Sequence, residues 1–280
     1  MTTMTWSPRR TADTTAHRAA PATAWFPPER SPAGPFRRRL YCLPHAGGSS
    51  SAYRTWAGRL GDDTEVVPVQ LPGRGTRFAE RLATTAEEIA DGLAAAIAAR
   101  EDREWSLFGH SMGALLAYEV AHRMSASGRP PAHLIVSGMT APPLAARRDR
   151  RPVRELSDAE LMRRIGELGA TPEDVLRSTE MMELLLPVFR ADYQVCDSYR
   201  FTSRPPLRVP VTVLGGAADP GAPVAGLSAW RDLTSAAYAL RLFPGGHFYL
   251  NDRLDQVLRS VRAACEGGGG HPLGGRPHHV

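Results

Sequence analysis

Residues 105–120 read Trp-Ser-Leu-Phe-Gly-His-Ser-Met-Gly-Ala-Leu-Leu-Ala-Tyr-Glu-Val, and this stretch decides the fold. Trp105–Phe108 has the pattern of a buried strand, and Ala114–Met124 has that of a helix. Between them, Gly109-His110-Ser111-Met112-Gly113 matches Gly-x-Ser-x-Gly, the pattern of a nucleophile elbow. The elbow forces its serine into a strained turn, so the flanking positions need glycine to avoid collisions. Because strand, turn and helix occur together, Ser111 is predicted to be a nucleophile.

Short apolar runs alternate with helical stretches on both sides of this turn. That alternation is typical of a parallel sheet flanked by helices, so the sequence predicts an α/β fold. The predicted strands are Arg39–Leu43, Glu65–Gln70, Trp105–Phe108, Ala132–Ser137, Pro210–Leu214 and Tyr238–Phe243.

Helices are predicted between these strands. Thr85 followed by Glu88 predicts a capping box, and apolar residues then recur at one-turn spacing as far as Arg100. The other two predicted helices are Ala114–Met124 and Phe248–Cys265.

Residues 140–206 interrupt the alternation, because they show helical signals and no convincing strand. We interpret them as a helical lid inserted into the sheet domain. Ser157 with Glu160 predicts a second capping box, and Gly169 is expected to end that helix. Helical structure is predicted to restart at Thr171-Pro172.

The second half of the lid, Ser178–Tyr199, is predicted to be helical with a kink at Pro187. Most of its apolar residues are expected to dock the lid on the sheet, and a few to line an acyl channel. The apolar residues of this segment, which are not assigned individually to either role, are Met181, Leu184, Leu185, Val188 and Phe189.

The composition bounds the class of protein. With 280 residues, 42% of them hydrophobic, the chain can close one sizeable core, which excludes collagen, coiled coil and wholesale disorder. The net charge of +5 comes from residues 1–39, which hold seven Arg and two acids, whereas the remainder balances at 27 against 27. The folded part therefore gives no reason to expect a nucleic-acid partner.

The two ends are predicted to lie outside the fold. Residues 1–37 are rich in Pro, Thr, Ala and Arg without apolar periodicity, which predicts a disordered extension. Residues 266–280 are expected to form a flexible tail, whose histidines lack the spacing of a metal site. The domain is thus expected to span residues 38–265, with the lid at about 140–206.

Cellular location is predicted from what the sequence lacks. Three cysteines are too few for a disulfide framework, and no apolar run is long enough for a membrane helix or signal peptide. A cytoplasmic protein is expected.

A serine nucleophile needs a general base, and the base needs an orienting carboxylate. His247 follows the last predicted strand, and Asp219 follows the strand before it. Both lie where parallel strands end, the edge at which open α/β sheets place their sites, and the order Ser, Asp, His is the one found with nucleophile elbows. His110, His122 and His133 compete for the role of base, and all three are expected to be structural or exposed.

Acyl transfer also requires two N–H donors for the tetrahedral oxyanion. One is predicted to be the backbone N–H of Met112, directly after the nucleophile. The second is predicted to be the N–H of Ala46, in the glycine-rich turn Pro44–Gly48 that follows the first strand.

These residues resemble the stand-alone type II thioesterases of polyketide and nonribosomal peptide biosynthesis, which have the α/β-hydrolase fold. The resemblance covers about residues 40–264. It rests on Leu43-Pro44-His45-Ala46-Gly47-Gly48, Gln70-Leu71-Pro72-Gly73-Arg74-Gly75, Gly109-His110-Ser111-Met112-Gly113-Ala114, Gly215-Gly216 with Asp219, and Gly245-Gly246-His247-Phe248.

The resemblance implies an editing hydrolase that removes acyl groups from the phosphopantetheine arm of an acyl or peptidyl carrier protein, as a monomer. It implies a catalytic triad of Ser111, Asp219 and His247, with Ala46 and Met112 forming the oxyanion hole. No cofactor and no metal are expected. Arg147, Arg148, Arg150 and Arg151 are candidates for docking an acidic carrier protein.

Other functions stay open at this point. A general carboxylesterase or a medium-chain fatty acyl thioesterase would use the same triad. A release enzyme that forms lactones or amides and a non-catalytic docking protein are further alternatives.

Overall fold

The computed structural model describes residues 22–27, 34–146, 151–169, 175 and 177–267. Within these ranges the strands are β1 (Arg38–Leu43), β2 (Thr64–Pro68), β3 (Glu104–His110), β4 (His133–Ser137), β5 (Val211–Gly216) and β6 (Tyr238–Phe243). They form one parallel sheet in the order β2-β1-β3-β4-β5-β6. The predicted α/β fold and its six strands are confirmed, with small differences at the strand ends.

Helices cover both faces of the sheet. The described helices are α1 (Ala86–Arg100), α2 (Met112–Ala126), α3 (Pro142–Ala145), α4 (Asp158–Leu168), α5 (Thr179–Ser198), α6 (Val224–Ser228), α7 (Tyr249–Asp252) and α8 (Leu254–Glu266). The predicted final helix Phe248–Cys265 is thus two helices, α7 and α8, separated at Arg253.

Two apolar layers pack on the sheet. Because side chains alternate along a strand, Leu40 and Cys42 of β1 face one layer, whereas Tyr41 and Leu43 face the other. The first layer includes Trp56 and residues of α8, and the second includes residues of α1 and α2. The sheet is therefore buried on both faces, as parallel sheets require.

Between β4 and β5 the chain forms the helices α3, α4 and α5. The predicted capping box at the start of α4 is confirmed: Ser157 Oγ accepts from Glu160 N–H, and the Glu160 carboxylate accepts from Ser157 N–H. Gly169 ends α4 with a φ of 76°, a left-handed conformation that favours glycine. The predicted restart at Thr171-Pro172 lies outside the described residues.

Helix α5 continues through Pro187 and packs only part of its apolar surface. Val188 and Phe189 are buried, as expected of residues that dock the lid, whereas Met181 and Leu184 are exposed.

The capping box predicted at Thr85 is only half formed. Thr85 Oγ1 accepts from the N–H of Glu88, at 3.3 Å. The Glu88 carboxylate does not complete the box, because it binds the guanidinium of Arg81.

Residues 22–27 correct the expectation that the whole of 1–37 is disordered. They form a 3-10 turn that buries Trp25 and Phe26. The carbonyl of Trp25 accepts from Gln70 N–H at 2.9 Å, and the Arg77 guanidinium lies 4.3 Å from the centre of the Trp25 ring. Average composition missed this contact because only two aromatic side chains make it.

We expect Trp25→Ala to lower the free energy of unfolding by about 3 kcal/mol, because it empties a buried aromatic site. Phe78→Ala is the matched control, since that ring is 66% exposed and its removal should cost little. Urea unfolding followed by circular dichroism measures both. Equal stability of Trp25→Ala and wild type would show that this segment does not contribute to the core.

Candidate active site

Ser111 sits in a strained turn between β3 and α2. Its φ is 53° and its ψ is −121°, and it is the one non-glycine residue with positive φ among those the structure describes. A Cβ on Gly109 would lie 2.1 Å from the carbonyl oxygen of Gly113, and a Cβ on Gly113 would lie 2.2 Å from that of Leu43. Both glycines of the elbow are therefore required by close backbone contacts.

The loops after β5 and β6 bring the predicted acid and base to this serine. His247 Nε2 lies 2.9 Å from Ser111 Oγ, and His247 Nδ1 lies 2.7 Å from Asp219 Oδ2. Because the carboxylate can only accept there, Nδ1 carries the proton and Nε2 is left to accept the serine proton. The arrangement can therefore deprotonate Ser111 as it attacks a carbonyl carbon.

Burial and a second hydrogen bond hold the carboxylate in place. Asp219 and His247 are both buried. The N–H of Gly221 donates to Asp219 Oδ1 at 2.8 Å, so both oxygens of the carboxylate are used. The carboxylate is thus fixed in the orientation that holds the imidazole.

The two loops continue the pairing of β5 with β6. Ala217 N–H donates to Phe243 O at 2.8 Å, and Ala218 N–H donates to Gly245 O at 2.9 Å. A Cβ on Gly216 would lie 2.2 Å from the carbonyl oxygen of Gly246. Close backbone contact thus sets the separation of Asp219 and His247.

The two predicted oxyanion donors lie at the start of α2 and in the turn that follows β1. Met112 is the first residue of α2, where helical N–H groups have no partner within the helix. Ala46 lies in a turn in which Gly48 N–H donates to His45 O at 2.9 Å. The chain leading into this turn touches the elbow, because a Cβ on Gly113 would also lie 2.7 Å from Pro44 O.

Comparison with known proteins decides the family. The family model of the thioesterase domain matches residues 38–265. The chain belongs to the thioesterase family. Enzymes of this family are serine hydrolases that act on thioesters.

Relatives of this thioesterase come from peptide and polyketide pathways. It is 38% identical over 222 residues to the gramicidin S biosynthesis protein GrsT of Aneurinibacillus migulanus, covering 79% of this chain and 86% of that protein. The thioesterase RedJ of the prodiginine pathway in Streptomyces coelicolor superposes with a TM-score of 0.77 at 43% identity, covering 86% and 93% of the two chains. The type II thioesterase BorB of the borrelidin cluster gives 0.79 at 37% identity, covering 86% and 98%.

The three histidines considered as alternative bases lie in partly or fully buried surroundings. His110 is buried and its Nδ1 lies 2.9 Å from Ser137 Oγ, while His133 Nε2 lies 2.8 Å from Thr212 Oγ1. Burial, followed by the nearby His247 ring, holds the pKa of His110 well below its usual range, and burial lowers the pKa of His133 to about 4. His122 is half-buried, and burial lowers its pKa to about 4 as well.

Two features near the site were missed by the sequence analysis. The His45 ring packs edge-on against Phe248, and burial together with the nearby His247 lowers the pKa of His45 to about 4. Arg74 forms an ion pair with Asp192, a residue of α5 that lies 118 positions further along the chain. Arg74 belongs to the segment Gln70–Gly75, one of those that carry the family resemblance, but no local pattern indicates its partner.

The sequence predicts neither a metal site nor a membrane-spanning helix. Among the described residues, no group of three or more His, Cys, Asp or Glu side chains is placed to hold a metal ion. Within the same ranges, no helix has the length and apolar character needed to cross a membrane.

We expect Gly216→Ala to lower kcat by about tenfold or more, because its Cβ would push the Asp219 and His247 loops apart. Gly246→Ala is the matched control: it adds a Cβ beside His247 that would meet no atom within 4 Å apart from those of its own chain neighbours. Thioester hydrolysis by both variants, with circular dichroism to check folding, measures the difference. Equal activities would show that contact at Gly216 does not set the geometry.

Proposed function

We propose that this thioesterase hydrolyses acyl groups from the phosphopantetheine arm of carrier proteins in polyketide or nonribosomal peptide biosynthesis, and so edits stalled chains. The hydrogen-bonded series Ser111, His247 and Asp219 carries the proposal, since it supplies a nucleophile, a base and an orienting carboxylate. The names of the related proteins, from gramicidin S, prodiginine and borrelidin biosynthesis, support the class of substrate.

In the acylation step, Ser111 Oγ attacks the thioester carbonyl carbon while His247 Nε2 takes the serine proton. The carbonyl oxygen becomes an oxyanion, which accepts hydrogen bonds from the N–H groups of Ala46 and Met112. Asp219 stabilises the imidazolium that forms. The C–S bond then breaks, His247 gives its proton to the leaving sulfur, and an acyl-Ser111 ester and a free thiol remain.

In the deacylation step, water attacks the acyl-Ser111 carbonyl carbon and gives a proton to His247 Nε2. A second oxyanion forms in the same place. The bond from the carbonyl carbon to Ser111 Oγ breaks, and Oγ recovers the proton from His247. The products are the free enzyme and a carboxylic acid.

The carrier protein would approach over the lid, between β4 and β5. Of the four arginines predicted to dock it, Arg147, Arg148 and Arg150 lie outside the described residues. Arg151 is described and donates to the Glu160 carboxylate at 2.6 Å, on the surface of α4. Its charge is thus partly engaged within the lid.

The test compares three substrates with the same acyl group: a phosphopantetheinylated carrier protein, the coenzyme A thioester and an oxygen ester. The proposal predicts the highest kcat/KM on the carrier-bound thioester and a loss of several orders of magnitude for Ser111→Ala, because triad members act as a unit. Ser228→Ala, which removes an exposed hydroxyl on α6, is the matched control and should keep full activity.

Equal cleavage of oxygen esters would indicate a general carboxylesterase instead. Preference for coenzyme A thioesters over the carrier would indicate a fatty acyl thioesterase. Full activity of Ser111→Ala would remove the nucleophile from the proposal.

A further inference from the structure

A buried ion pair joins the lid helix α5 to the loops at the edge of the sheet. Arg74 Nη2 donates to Asp192 Oδ1 at 2.7 Å, and Arg74 Nη1 donates to Asp192 Oδ2. The Asp192 side chain is 0% exposed and that of Arg74 is 8% exposed. A buried pair of this kind favours one geometry, because separating the two partners would leave each charge buried without its counter-charge.

The same pair binds the turn that carries Ala46. Asp192 Oδ2 accepts from the N–H of Gly47 at 2.7 Å, and Arg74 Nη1 donates to the carbonyl of Gly48 at 3.3 Å. We call Arg74 and Asp192, with these two backbone contacts, the turn clamp. It holds the turn through one donor and one acceptor of its backbone.

The clamp opposes one alternative conformation of this turn. Gly47 has a φ of 78° at the third position of a turn closed from Gly48 N–H to His45 O, which is the arrangement of a type II turn. Rotation of the peptide between Ala46 and Gly47 would convert it to type I. The Ala46 carbonyl would then face the Asp192 carboxylate, so the negative charge selects the observed orientation.

The lid helix also covers the turn sterically. A Cβ on Gly47 would lie 2.1 Å from the Phe189 ring, and Phe189 and Asp192 lie three residues apart on one face of α5. Phe189 belongs to the apolar cluster that also holds Leu161 and Ile165 of α4. One apolar contact and one charged contact therefore couple the position of the lid helix α5 to that of the turn.

We infer that Asp192, held by Arg74, is a positioning residue for the oxyanion hole, and that the hole is complete only with α5 seated on the turn. This inference rests on the proposed role of the Ala46 N–H. Gly47 N–H is already used by Asp192 and Gly48 N–H by the His45 carbonyl, so neither of them is free to bind the oxyanion. The lid thus contributes to stabilising the transition state as well as to enclosing the substrate.

The test uses Asp192→Asn, which keeps the shape of the side chain and removes its charge. The substrate is an acyl-N-acetylcysteamine thioester, which needs no carrier protein. The first readout is kcat and KM on this substrate. The second is the affinity of an acyl trifluoromethyl ketone, whose carbonyl carbon is attacked by the serine hydroxyl to give an oxyanion. We expect kcat to fall by about tenfold to hundredfold with KM nearly unchanged, and ketone affinity to fall by a similar factor.

Glu119→Gln is the matched control. Glu119 is a buried carboxylate on α2. It accepts from the hydroxyl of Tyr199, the residue that follows α5, at 2.7 Å, and like Asp192 it forms an ion pair with an arginine, Arg204. It does not contact the turn. We expect it to lower the melting temperature while leaving kcat and ketone affinity within about twofold of wild type.

Arg74→Gln repeats the test from the other side of the clamp if Asp192→Asn does not fold. Folded clamp variants with wild-type kcat and ketone affinity would overturn the inference, as would an equal loss in Glu119→Gln. Ketone affinity is measured without any carrier protein. Failure on carrier substrates would therefore count against the proposed function alone.

Discussion

The backbone of Ser111, held at positive φ between β3 and α2, is the constraint on which the rest of the site depends. It places the serine hydroxyl above the carboxyl end of the sheet, and it brings the elbow so close to the β1 loop that only glycine fits at 113. The strand order puts β1 next to β3, which is where the direction of sheet assembly reverses. Open α/β sheets bind their ligands at such a point, because the loops on either side diverge and leave a crevice.

The loops after two neighbouring parallel strands supply the base and the orienting carboxylate of the site. β5 and β6 are neighbours, so the loops that follow them start side by side and continue the ladder for two more hydrogen bonds. Asp219 and His247 are 28 positions apart in the chain, yet they are hydrogen-bonded across this short gap. The imidazole is thus oriented by loops that continue the hydrogen bonding of the sheet.

The sheet and the three polar residues on it could be predicted from the sequence because the signals are local. Apolar runs mark the strands, and a glycine pattern or a position after a strand marks Ser111, Asp219 and His247. The burial of Trp25 and the pairing of Arg74 with Asp192 could not be predicted in this way, because each depends on residues far apart in the chain. Which apolar residues of α5 are exposed could not be predicted either, because an apolar pattern on a helix does not show whether another element covers it.

We propose that Ser111 is the nucleophile. An alkyl fluorophosphonate, whose phosphorus is attacked by an activated serine with loss of fluoride, tests this most directly when the labelled protein is digested and its peptides are mapped by mass spectrometry. The predicted result is one covalent adduct, on the peptide that contains Ser111, with thioester hydrolysis lost in proportion to labelling. An adduct on a different residue, or continued hydrolysis by an enzyme that is fully labelled at Ser111, would contradict the account.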